Sequence, residues 1–153
     1  MITNNRLLHS IGVARMAYRL AKCLRPSDTE FAQEMFILGL VHDVGYEFAD
    51  DIMLHPMIGA EILARCGYKY SDCVGLHGCH TVDDFSDELY ILNVADMCVG
   101  ADGNSCNIDE RLADIMARYG ADSLQYQNAV ILADRLKSDP RYKLVVIPDS
   151  TAK

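Results

Sequence analysis

No two of the six cysteines, Cys23, Cys66, Cys73, Cys79, Cys98 and Cys106, stand in a C-x-x-C spacing. Zinc ribbons and thioredoxin-type redox motifs are built on such pairs, so both are excluded. No stretch is apolar for long enough to cross a bilayer. The longest runs, such as MFILGLV, fall well short of the roughly 20 residues a membrane helix needs. The opening MITNNRLLHS lacks the apolar centre of a secretory leader. Internal repeats, low-complexity tracts and a linker at which to divide the chain are absent as well. Positive charge is scarce: 14 Lys and Arg stand against 22 Asp and Glu, a formal net charge of −8. A non-specific nucleic-acid binder needs a basic face, so that role is disfavoured. The same acidity would repel phosphate, and a site for it would need cations bound locally. The expectation is one soluble cytoplasmic domain over residues 1–153, with reduced cysteines and with neither membrane nor nucleic acid as a partner.

Half of the 153 residues are hydrophobic, enough for a sizeable core. Their spacing is helical almost throughout, predicting an all-α bundle of about six to seven helices. The first helix is expected over Asn5 to Leu24, with Pro26 as its stop. Ser27 with Glu30 reads as a capping box opening a second helix that runs through FAQEMFILGLVHD, so apolar at its end that both faces should be covered. Residues Gly45 to Leu54 read as a loop. Pro56 suits the first turn of a third helix, which Gly67 ends. A fourth is expected from Ser71 or Asp72 to near His80. Ser86 can cap a fifth, ELYILNVADMCVGA. Asn107 with Glu110 is a second capping box, for a helix ending at Gly120, and a last helix spans Ser123 to Lys137. The tail YKLVVIP reads as a short strand or extended strap ended by Pro148.

Chemistry shows as polar residues in expensive places. His9 shares a helix face with Val13, Met16 and Leu20. His42 and Asp43 follow FILGLV, and Asp96 sits inside LYILNVADMCVG with no Lys or Arg within one turn. An ionised carboxylate there costs several kcal/mol unless paired or coordinated. Each residue alone has an ordinary structural reading. Together, on separate helices, they point to one metal site of the kind helical bundles build on facing side chains. The loop acids Asp50, Asp51, Asp83 and Asp84 read as solvated surface charge.

The order His, then His-Asp, then Asp on successive helices resembles the HD superfamily of metal-dependent phosphohydrolases. The stretches LLHSIGVA, LGLVHDVGYE, HPMIGAEIL, HGCHTVDD and LNVADMCVG look like its successive motifs, over roughly Arg6 to Ala101. HPMIGAEIL is similar to the segment found in two-metal members, including bacterial hydrolases of symmetrical dinucleoside tetraphosphates. The resemblance implies His9, His42, Asp43 and Asp96 as ligands of a first divalent ion. It implies His55 and one histidine of HGCH as ligands of a second, with Asp43 bridging. His80 is the better match of the two, because Thr81 follows it; His77 could ligate instead, contact substrate or protonate the leaving oxygen. The ions could be Fe, Mn, Ni, Co, Zn or Mg, one or two in number.

Many relatives carry a basic residue shortly after His-Asp, as in H-D-x-x-K; here the stretch is Val44, Gly45, Tyr46, Glu47. A phosphate contact must come from elsewhere, with Arg6, Arg65 and Lys69 as candidates. The expected function is hydrolysis of a phosphate ester or anhydride of a nucleotide or another small phosphorylated metabolite, with Asp43 holding the metal pair. A mixed-valent di-iron oxygenase and a non-catalytic sensor on the same scaffold are the other readings. The oligomeric state is open, a homodimer included.

Overall fold

A computed structural model describes residues 3–145. Side-chain oxygens set most helix starts in it. Thr3 caps α1 (Asn4–Leu24), Asp28 caps α2 (Thr29–Val41), Ser86 caps α5 (Asp87–Met97), Asn107 caps α6 (Ile108–Tyr119) and Ser123 caps α7 (Leu124–Ser138). The Asn107–Glu110 box is present in both directions. Between α2 and α5 lie α3 (His55–Arg65), with Pro56 in its first turn, and the short α4 (Ser71–Leu76). Among the described residues there are seven α-helices, and the extended pairing is a single bridge between Val99 and Ser105. None of these helices is long and apolar enough to cross a membrane.

Helix α5 is the axis of the core. Every residue from Leu89 to Ala95 is buried, and α1, α2, α4, α6 and α7 pack around it. The α1–α2 pair is close because Gly39 faces Ala14; a methyl at Gly39 would come within 2.8 Å of the Ala14 Cα. The other side of α1 docks on the segment after α5. There a methyl at Gly12 would lie 2.7 Å from Val99 Cγ1. These two approaches bring the first turns of α1, the end of α2 and the end of α5 to one place.

Several expectations are corrected. Helix α2 is opened by Asp28, whose carboxylate accepts from the Phe31 amide at 2.9 Å, rather than by Ser27. Its last turns are covered on one side only: Met35, Leu38 and Gly39 are buried, whereas Ile37 and Leu40 are exposed. The loop Gly45–Leu54 contains two 3₁₀ turns, Val44–Glu47 and Ile52–Leu54. Helix α4 stops at Leu76, short of His80, because His77 is extended and Gly78 is left-handed (φ 76°). Helix α5 stops at Met97, where the Val99–Ser105 bridge takes over. The start of the tail is a 3₁₀ turn, Pro140–Lys143, not a strand, and its remainder through Pro148 lies outside the described residues.

Candidate metal centre

Three histidines are set by the same local device. His42, His55 and His77 each follow the last residues of a helix or 3₁₀ turn, and each Nδ1 meets the carbonyl three residues back. The partners are Gly39 at 2.7 Å, Ile52 at 2.6 Å and Val74 at 2.6 Å. His9, on α1, meets the Gly100 carbonyl at 3.0 Å. A carbonyl only accepts, so all four Nδ1 atoms donate. In the neutral ring each Nε2 then carries its lone pair outward.

Those four lone pairs converge on two carboxylates. His9 Nε2 is 2.9 Å and His42 Nε2 3.7 Å from Asp96 Oδ1. Asp43 Oδ1 is 3.3 Å from His42 Nε2, 3.4 Å from His55 Nε2 and 3.6 Å from His77 Nε2. The Nε2 atoms of His55 and His77 are 3.2 Å apart. His42 is fully buried and its Nε2 has no hydrogen-bond partner. Lone pairs facing lone pairs and anions repel. The set makes chemical sense with cations between the atoms, and carbonyl-oriented imidazoles beside carboxylates are the usual dress of a metal site. The residues therefore fit divalent ions. Two groupings have ligand atoms within 4.8 Å of one another: His9, His42 and Asp96, and His42, Asp43 and His77.

The electrostatics agree. Burial works to raise the pKa of Asp43 and of Asp96, yet the surrounding imidazoles hold both carboxyls well below their ordinary range. Burial works against charge on His42 and His77, and the two carboxylates outweigh it, so both rings are shifted upward.

Of the sequence candidates, His9, His42, Asp43, His55, His77 and Asp96 come together. His80 does not. Its side chain belongs to neither grouping, and its backbone carbonyl is tied down by Arg135 of α7, which also holds the Val82 and Asp83 carbonyls. His77 stands at the cluster instead, its Nε2 3.6 Å from Asp43 Oδ1. It is also poorly placed as a leaving-group acid, since Nδ1 is spent on Val74 and Nε2 faces Asp43. Among the three basic candidates, Arg65 pairs with Glu61 and Lys69 with Glu34, away from the cluster. Arg6 reaches it: Nη1 donates to Asp43 Oδ2 at 3.2 Å, and its guanidinium lies 3.2 Å above the Tyr46 ring. Tyr46 stacks in turn on His55, ring centres 3.7 Å apart; burial and the neighbouring Asp43 push its hydroxyl up to about 12.

The cluster opens on a cavity of about 630 Å³, within the range of small-molecule sites. Sequence reasoning missed part of its lining: Arg111 and Arg118 of α6, Gln125 and Asn128 of α7. The signal was there, since Arg111, Ile115 and Arg118 recur at helical spacing on one face. It also missed Asn93, one turn before Asp96 and 1 % exposed, whose Oδ1 accepts from the Gly78 amide at 2.8 Å beside His77. The test that singled out Asp96, a polar residue among apolar neighbours, applies equally to Asn93.

Comparison with known proteins gives one family: the sequence model described as HD domain matches residues 6–139. No curated protein and no solved structure matches the chain.

Proposed function

Because the chain belongs to the HD-domain family, a superfamily of metal-dependent hydrolases, we propose that it cleaves a phosphate ester or anhydride of a nucleotide or another small phosphorylated metabolite. One observation carries this reading: four imidazole lone pairs and two carboxylates meet beside the Arg6 guanidinium on the wall of a cavity far larger than a phosphate. His9, His42, Asp43 and Asp96 would hold one divalent ion, and His55 and His77 a second, with Asp43 shared. Bound there, divalent ions supply Lewis acidity and a water acidic enough to ionise near neutral pH.

The chain's own residues do the rest. Asp43 is buried with one oxygen toward three imidazoles and the other toward Arg6, so its orientation is fixed from both sides. Arg6 presents a planar donor group suited to phosphoryl oxygens, and Tyr46 holds that plane in place. Arg6 would thereby supply the cation that relatives with H-D-x-x-K place after His-Asp, which favours the hydrolytic reading. Ile52, Met53, Leu54 and Met57 give the cavity an apolar lip that limits water.

The test is phosphate release from a panel of nucleotides and p-nitrophenyl phosphate, with and without added Mn²⁺. Turnover is expected to vanish on chelation and in Asp43→Ala, with helicity retained. Arg6→Ala should raise KM more than it lowers kcat. Absence of phosphate release from every member, or undiminished turnover in chelated protein, would overturn the assignment.

A further inference from the structure

Beyond the metal cluster, the cavity has a wall of a different character. It is made by one face of α6 and one face of α7. On α6, Arg111, Ile115, Arg118 and Tyr119 recur at spacings of four, three and one; on α7, Gln125, Asn128, Ala129 and Leu132 recur at three, one and three. Such inward faces ordinarily carry apolar residues. Here two adjacent positions of α7, one turn apart, carry carboxamides instead.

Gln125 and Asn128 are half-buried. Most other polar side chains in this region are engaged. Asp114 lies between Arg111 and Arg118, accepting at 3.0 and 3.1 Å, and Ser123 caps α7. The two carboxamides make no hydrogen bond among the described residues, while lining the same space as the cluster. Their amide groups are therefore free to meet a ligand, and each presents a donor and an acceptor side by side. That pattern matches the edge of a heterocyclic base, which carries donors and acceptors in one plane and which Asn and Gln read bidentately. The rest of the wall suits the faces of such a ring: Tyr119 is an exposed aromatic, and Met53 and Met57 on the lip are exposed and polarisable. Arg111 and Arg118, which share Asp114, place two guanidinium groups on the same wall, suited to an anionic or ribose oxygen.

We propose that the α6–α7 wall is a base-recognition subsite, in which Gln125 and Asn128 read the edge of a nucleobase while the cluster and Arg6 engage the phosphate. The proposal rests on the phosphohydrolase reading and narrows it to nucleoside phosphates.

Free nucleosides test the subsite without any hydrolysis, because they carry no phosphate. Saturation-transfer NMR on the purified chain is run with the five common ribonucleosides, and with ribose as control. At least one nucleoside is expected to give a saturable signal about tenfold stronger in affinity than ribose. The double variant Gln125→Leu/Asn128→Leu, which keeps side-chain bulk and leaves the cluster untouched, should abolish that preference. Gln125→Glu, which exchanges a donor for an acceptor, should change which base is preferred. In turnover, the double variant should lose about tenfold or more in kcat/KM for the preferred nucleotide and stay within about twofold on p-nitrophenyl phosphate. A wild-type chain that binds no nucleoside better than ribose overturns the proposal, as does a double variant with unchanged preference. Should the chain hydrolyse no phosphate at all, the p-nitrophenyl phosphate arm reports it, and the nucleoside arm still decides whether the wall reads bases.

Discussion

Replacing Gly45 by alanine would strike the joint between two halves of the metal centre. Gly45 lies two residues after Asp43, in the 3₁₀ turn that faces α3. A methyl built there would stand 2.7 Å from Gly59 N and 2.8 Å from the His55 carbonyl carbon, and closer still to that carbonyl's oxygen. All three are backbone atoms of α3, so no side chain can swing away. Restoring ordinary contact requires the turn and α3 to separate by on the order of 1 Å in an interior packed as densely as a crystal. The turn is continuous with His42 and Asp43, and α3 begins with His55. The separation therefore pulls His55 from Asp43. Overpacking of this kind costs roughly 1–3 kcal/mol, or about 2–12 °C in Tm for a chain of this length. A misplacement of about 1 Å at a reacting centre costs roughly 100-fold in kcat/KM. The assays are thermal unfolding, metal content by mass spectrometry and p-nitrophenyl phosphate hydrolysis. Gly67→Ala is the control. Gly67 has φ 75° with nothing within 4 Å of an added methyl, so alanine there strains only the backbone, by about 1–2 kcal/mol. It should lower Tm and leave metal content and turnover per folded molecule unchanged. A Gly45→Ala protein with full metal content and wild-type turnover would refute the idea that this turn and α3 are rigidly coupled.

Two further outcomes are expected. His77→Ala should lose one equivalent of bound metal and most of the turnover, whereas His80→Ala should keep both; the reverse result would restore His80 as the ligand. Asp87, at the start of α5, accepts from Arg25 at 2.6 Å and from Arg141 at 3.0 Å. Burial acts to raise its pKa, but these guanidiniums outweigh it and hold the carboxyl below its ordinary range. A lowered folded value means that the stabilisation is fully present above the unfolded value of about 3.9 and is lost as pH falls through the folded one. Wild type should therefore exceed Asp87→Asn by about 1 kcal/mol in urea unfolding near pH 7, the advantage shrinking below about pH 4. An advantage that grew on acidification would contradict the assigned ion pairs.

Much of this was legible in the residues because the costs involved are local. Asn107 and Glu110 are three apart and form their box within one turn. Asp96 among apolar neighbours had to find company, and it stands 2.9 Å from His9 Nε2 and 3.7 Å from His42 Nε2, an arrangement that fits a shared cation. What stayed hidden depends on long-range geometry. His77 and His80 both follow α4, and only the position where that helix ends, ahead of the left-handed Gly78, sends His77 inward. Arg6 was one of three cations with equal claims until α1 docked beside Tyr46. The carboxamides of α7 look like ordinary surface residues until the cavity beside them is known.

The carbonyl three residues upstream of His42, His55 and His77 makes each ring's direction a property of four consecutive residues. Such a unit is portable: grafted onto the exposed end of another helix, it should aim an imidazole without help from the rest of a fold. It is also intolerant of length change, since one inserted residue turns the ring about 100° around the helix axis. Within this molecule, insertions should accordingly be fatal to metal binding between Gly39 and His42 or between Val74 and His77, and harmless in the Gly120–Ser123 connection.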